Sequence, residues 1–91
     1  MKYRILYTTG YIRRAAKFIK RHPELLSQYE KTLKLLELNP YHPSLRLHRL
    51  KGPLKDLQSV SINIGYRISL EFKLEEGQII PVSVGSHDEV Y

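Results

Sequence analysis

Two histidines and a set of cations carry the chemistry open to this chain. His48 follows Leu45-Arg46-Leu47 and is followed by Arg49 and Lys51; Arg67 sits in Tyr66-Arg67-Ile68; His87 stands near the end, after Ser83 and Gly85. An imidazole with its ordinary pKa of about 6.5 exchanges protons near neutrality, so two of them can serve as general base and general acid. Arginine stays charged, and its planar fork matches a phosphate. The combination suits metal-independent cleavage of RNA. A base removes the proton of a 2′-hydroxyl, whose oxygen attacks the adjacent phosphorus; an acid protonates the departing 5′-oxygen; a fixed cation stabilises the charge growing on the phosphoryl oxygens. A metal is not expected. The histidine spacing matches no ligand pattern, the chain has no cysteine, and the acids near His87 are Asp88 and Glu89. No glycine-rich phosphate loop or Ser-His-Asp set is present, and no cofactor is expected.

The elements that must position these groups follow from periodicity. Tyr3, Ile5 and Tyr7 alternate with Arg4 and Leu6, which predicts a short first strand. Thr8 and Thr9 suit a helix start, and Ile12, Ala15, Ala16 and Ile19 fall at helical spacing as the predicted buried face. Arg13, Arg14, Lys17, Lys20 and Arg21 occupy much of the remainder, a face suited to solvent, to phosphates or to an acidic peptide. His22-Pro23 breaks the pattern, and Pro23 opens a second helix with Leu26, Tyr29, Leu33 and Leu36 inward, ending at Asn39-Pro40. His22 suits a cap at this junction, and His42, between Pro40 and Pro43, suits a loop.

Beyond Pro43 the period becomes two. Leu45 and Leu47 alternate with Arg46 and His48; Val60 and Ile62 with Ser59 and Ser61; Tyr66, Ile68, Leu70 and Phe72 with Arg67, Ser69, Glu71 and Lys73; Ile80, Val82 and Val84 with Pro81, Ser83 and Gly85. Asn63-Ile64-Gly65 and Glu75-Glu76-Gly77 are hairpin turns. The predicted fold is α+β, in the order β-α-α-β-β-β with room for one more strand, an antiparallel sheet packed on an N-terminal helical hairpin. One face of the sheet is expected to be apolar and covered by the helices, the other polar and open. Arg46, His48, Arg67 and, if the last strand runs straight through Gly85, His87 share the parity of that open face.

Composition sets the outer bounds. Ninety-one residues with 42% hydrophobic content predict one globular domain over 1–91. A net charge of +6 favours a polyanionic partner, nucleic acid or an acidic protein. No apolar run is long enough for a membrane span and no signal pattern opens the chain, so a cytoplasmic location is expected.

The chain resembles the RelE/ParE superfamily of toxins from bacterial type II toxin–antitoxin systems. The resemblance rests on the helical hairpin, Leu47-His48-Arg49-Leu50-Lys51-Gly52, Tyr66-Arg67-Ile68 and the ending Gly85-Ser86-His87-Asp88-Glu89-Val90-Tyr91, which is similar to the YafQ-like branch. It implies that His87 is the general acid with Tyr91 as its partner. It also implies that His48 stands at the place of the general base, that Arg67 holds the scissile phosphate and that Lys51 binds the RNA backbone; strand parity and the nearby strand end add Arg46 and Arg49 as further phosphate ligands. The implied substrate is mRNA in the ribosomal A site, cut to a 2′,3′-cyclic phosphate and a 5′-hydroxyl. The implied partner is a cognate antitoxin, through which alone operator DNA would be bound. Two features depart from the family: Gln58 precedes Ser59 where many relatives carry an aromatic residue, and Ser83 stands where several active members carry arginine. Two further readings remain from the resemblance, a ParE-like inhibitor of DNA gyrase and an inactive toxin fold that only binds antitoxin or operator.

Overall fold

The first helix starts where Thr8 supplies a cap: its Oγ1 accepts from the Tyr11 amide at 3.1 Å, satisfying a donor with no partner inside the helix. In the computed structural model, which describes residues 3–73 and 76–86, this helix (α1) spans Thr9–Arg21 and a second (α2) spans Leu26–Leu38. Pro23 opens a single 3-10 turn, Pro23–Leu25, between them. The strands are β1 (Arg4–Ile5), β2 (His48–Arg49), β3 (Gln58–Ser61), β4 (Tyr66–Lys73) and β5 (Gln78–Ser86). They form one sheet in the order β1-β5-β4-β3-β2. The expected β-α-α-then-strands arrangement is thus present, with one addition: β1 lies parallel to β5, Arg4 beside Gln78 and Ile5 beside Ile79, while the other pairs are antiparallel. Among the described residues no helix is long and apolar enough to cross a membrane.

The core lies between the helices and one sheet face. Tyr11, Tyr29 and Leu36 meet Leu45, Val60, Ile68, Leu70 and Ile79, with Ile5 closing one end. The buried face of α1 is rotated from the expected one: Tyr11 and Phe18 are buried, whereas Ile12 and Ala16 are exposed. The aromatic rings bury more area than the aliphatic stripe would, and so turn the helix toward them. In α2, Tyr29, Thr32 and Leu36 are buried and Leu26 is exposed, its inward place taken by Leu25 of the 3-10 turn.

Two strands depart from simple alternation. The segment at Arg46 is not a strand: Pro43–Leu45 forms a 3-10 turn, and Arg46 ends it in the left-handed region at φ 50°, so β2 begins only at His48. In β5 the register with β4 runs Ser69 to Ser83 and then Leu70 to Pro81, leaving Val82 as an extra residue. Below this bulge the parity reverses. Ile79 and Pro81 are the buried residues, and Ile80, expected inward, is only half-buried.

Candidate active site

The antiparallel registers align His48 with Ser59, Ser59 with Ser69, and Ser69 with Ser83. Cross-strand partners point to the same face, so these four form one row across β2, β3, β4 and β5. Arg67 aligns with Ser61 and Gly85 in the parallel row two residues along. His48 and Arg67 therefore share the face opposite the core, as parity predicts. Strand spacing of about 4.8 Å and a rise of about 3.3 Å per residue put their Cα atoms roughly 12 Å apart, a span a phosphodiester and two side chains can bridge.

This face is less open than expected. Ser59, Ser61 and Ser69 are buried. Their small side chains form a floor whose hydroxyls bond within the fold: Ser69 with Ser83 at 2.7 Å, and Ser61 donating to the Asn63 carbonyl at 2.6 Å. Arg67 is half-buried with its Nε shielded from solvent. A guanidinium held in such surroundings interacts with phosphate more strongly than one in bulk water.

His48 is exposed on an edge strand, and its ring is set by the chain itself. Its Nδ1 lies 2.9 Å from the Arg46 carbonyl oxygen. A carbonyl only accepts, so Nδ1 carries the hydrogen, and the neutral ring has its basic lone pair on Nε2. The left-handed backbone at Arg46 turns this carbonyl toward the ring. Arg46 was expected beside His48 on the strand as a phosphate ligand; it instead ends the preceding turn, and its backbone positions the imidazole. Sequence periodicity carries no mark of this role, because it belongs to a backbone carbonyl.

Around His48, a cleft of about 270 Å³ is lined by Arg49, Leu50, Lys51 and Leu54. Arg49 pairs with Gln58 and so alternates to the other side of β2 from His48. Arg49 and Lys51 are both exposed at this cleft. β5 runs in register through Gly85 to Ser86, with Tyr66 opposite Ser86, and the bulge falls at Val82. His87 and Tyr91 lie outside the described residues. Among the described residues no group of three or more His, Asp or Glu side chains is placed to hold a metal.

His22 and His42 serve the local fold. His22 ends α1, its amide donating to the Phe18 carbonyl, and its ring packs on Phe18 and Tyr66 with centroids 5.1 and 4.9 Å away. His42 begins the Pro43–Leu45 turn and its Nδ1 accepts from the Ser44 amide. Sequence reasoning missed one contact, Arg14 Nη1 donating to the Val82 carbonyl at 3.2 Å, which holds the bulge.

No family model matches the chain, and no curated protein matches it in sequence. Solved structures do. The Escherichia coli DinJ–YafQ toxin–antitoxin complex matches with a TM-score of 0.76 at 14% identity, covering 100% of this chain and 99% of that one. A metal-bound toxin from Helicobacter pylori matches at 0.70 and 25% identity over 100% of both chains. A YoeB/ParE toxin from Agrobacterium tumefaciens matches at 0.68 and 14% identity, covering 92% of this chain and 98% of that one. The order of elements, the five-stranded sheet and these likenesses together show that the chain has the RelE/ParE toxin fold, in a form similar to YafQ.

Proposed function

We propose that the protein is the toxin of a type II toxin–antitoxin pair and a metal-independent endonuclease of ribosome-bound mRNA. The observation that carries this reading is the Nδ1 hydrogen bond of His48 to the Arg46 carbonyl, which leaves Nε2 as the basic nitrogen on the face shared with Arg67. Nε2 takes the 2′-hydroxyl proton, the 2′-oxygen bonds to phosphorus, and the P–O5′ bond breaks with a proton supplied by His87. The products are a 2′,3′-cyclic phosphate and a 5′-hydroxyl, with no metal or cofactor consumed. Arg67 stabilises the phosphoryl oxygens, Lys51 and Arg49 hold the backbone at the cleft, and Tyr91 places His87 or the nucleotide. The DinJ–YafQ likeness supports a cognate antitoxin as partner, and a cytoplasmic site of action follows from the substrate.

The test is induction in a bacterium with mapping of mRNA 5′ ends. Wild type arrests growth and creates new ends within codons. His48→Ala and His87→Ala each lower cleavage by about 10²–10⁴-fold, the usual worth of a positioned acid or base. Full activity in either variant removes that residue from the mechanism; DNA breakage with intact mRNA would transfer the protein to the gyrase-inhibitor reading.

A further inference from the structure

By reversing parity, the bulge at Val82 brings Ile80 to the face of the sheet that carries His48 and Arg67, with Glu71 as its partner on β4. β1 extends this row. Arg4 lies beside Gln78, and the Leu6 amide donates to the Ile79 carbonyl, which sets Leu6 beside Ile80. On the other flank, Leu57 stands one residue before Gln58, the partner of Leu70, and so falls beside Glu71. Leu50 donates its amide to the Leu57 carbonyl and lines the His48 cleft. The row next to that of His48 and the serines therefore reads Leu6, Ile80, Glu71, Leu57 and Leu50, one carboxylate among apolar side chains. The row beyond it, Arg4, Gln78 and Lys73, carries two cations.

Glu71 is exposed and is the one acidic residue in the described strands. Among the described residues it has no ion pair and no side-chain hydrogen bond. Ile80 and Leu6 are half-buried, while Arg4 and Lys73 are exposed. A carboxylate repels phosphate, so a nucleic acid crossing this face presents something other than its backbone to Glu71. It also accepts hydrogen bonds and donates none. An apolar floor beside such an acceptor fits the flat face and the donor edge of a nucleobase. Guanine alone has two adjacent donors on its Watson–Crick edge, N1–H and the exocyclic amino group, to match the two carboxylate oxygens. Adenine, cytosine and uracil each offer a single donor group with an acceptor next to it.

We infer that Glu71, with Ile80 and Leu6 as its floor, forms a guanine-selecting subsite for single-stranded RNA, and that Arg4 and Lys73 hold the adjoining phosphate. Glu71 and Arg67 stand on either side of Ser69 on β4, each with its Cα roughly 12 Å from that of His48. The selected base therefore belongs to a nucleotide flanking the phosphate at Arg67. Its part in cleavage rests on the proposed function; the preference for guanine in binding does not.

The test uses fluorescent 2′-O-methylated trinucleotides, in which the attacking hydroxyl is blocked. Each holds one guanine, adenine or cytosine among uridines, at each position in turn, and the all-uridine trinucleotide is the reference. At one position guanine binds about tenfold more tightly than the other three bases, the usual discrimination of a two-bond contact. Glu71→Gln removes that preference by weakening the guanine trinucleotide, without weakening the all-uridine one. The side chain is exposed and the change conservative, so the fold tolerates it, and circular dichroism checks it. A Glu71→Gln protein that binds every trinucleotide more tightly by one common factor marks a merely repelling charge and overturns the inference. Equal affinity of wild type for all four bases, a guanine preference that survives Glu71→Gln, or absent binding overturns it as well. None of these readouts uses cleavage or growth arrest, so failure here and failure of the endonuclease reading are separate results.

Discussion

Removing the hydroxyl of Tyr11 tests how the two helices are held together. Tyr11 is 1% exposed, and its hydroxyl lies 2.6 Å from that of Tyr29, itself buried. Tyr11→Phe deletes one neutral hydrogen bond and leaves the Tyr29 hydroxyl behind, which together cost about 1–2 kcal/mol. For a domain of this size that lowers Tm by roughly 5–15 °C. Adding Tyr29→Phe removes the stranded partner as well, so the double variant is less destabilised than the sum of the single ones, by about 1 kcal/mol. The pair also sets a pH dependence. Burial, with Tyr29 and their hydrogen bond adding to it, pushes the Tyr11 phenol above its ordinary 10.0. Burial raises Tyr29 too, against a lowering from the same hydrogen bond. Above pH 10 the unfolded chain loses these protons while the folded one keeps them, so stability is intact below pH 10 and falls as pH rises beyond it, by up to about 1.4 kcal/mol per unit for Tyr11. Urea denaturation at pH 7, 10 and 11 measures both effects. A neutral Tyr11→Phe, or a double variant as alkali-sensitive as wild type, would refute the reasoning.

Three further perturbations have definite outcomes. Gly52 sits at φ +67° with nothing within 4 Å of an added Cβ, so Gly52→Ala costs about 1 kcal/mol through backbone strain alone, read as a lower urea midpoint with unchanged slope. Thr8→Ala removes the α1 cap and costs about 1 kcal/mol, while Thr8→Ser restores most of it in thermal melts. Arg46→Val puts a β-branched residue at φ 50° and costs about 1–2 kcal/mol; Arg46→Asn keeps the left-handed turn, and NMR of the His48 ring finds the hydrogen still on Nδ1.

Local patterns were legible where one residue decides one contact. Thr8 as cap, Pro23 at the helix junction, Asn63 in the hairpin turn and the alternation of faces along β3 and β4 all act within a few residues and stand in the structure, although Pro23 opens a 3-10 turn before α2 and the serines of the polar face are buried. Parity alone brought His48 and Arg67 to one face. It failed at β5, because a bulge is set by what the neighbouring strand and Arg14 accept, and Val82 has no side-chain signature of it. It failed at Arg46 because the Pro43 turn carries on one residue further than the apolar alternation suggests. The parallel pairing of β1 with β5 leaves no periodic trace at all, and the inward turn of Tyr11 and Phe18 was hidden by the cleaner spacing of Ile12, Ala15, Ala16 and Ile19.

The pairing of β1 with β5 also imposes an order on synthesis. Closing so long a loop costs chain entropy that only late contacts repay. Ile5, a core residue, has its strand partner at Ile79, so while the ribosome is still making the middle of the chain the first strand has nothing to pair with. At about 5–20 residues per second, the sheet stays unfinished for several seconds on the nascent chain. A protein built this way closes its sheet only after the ribosome has passed Ile79.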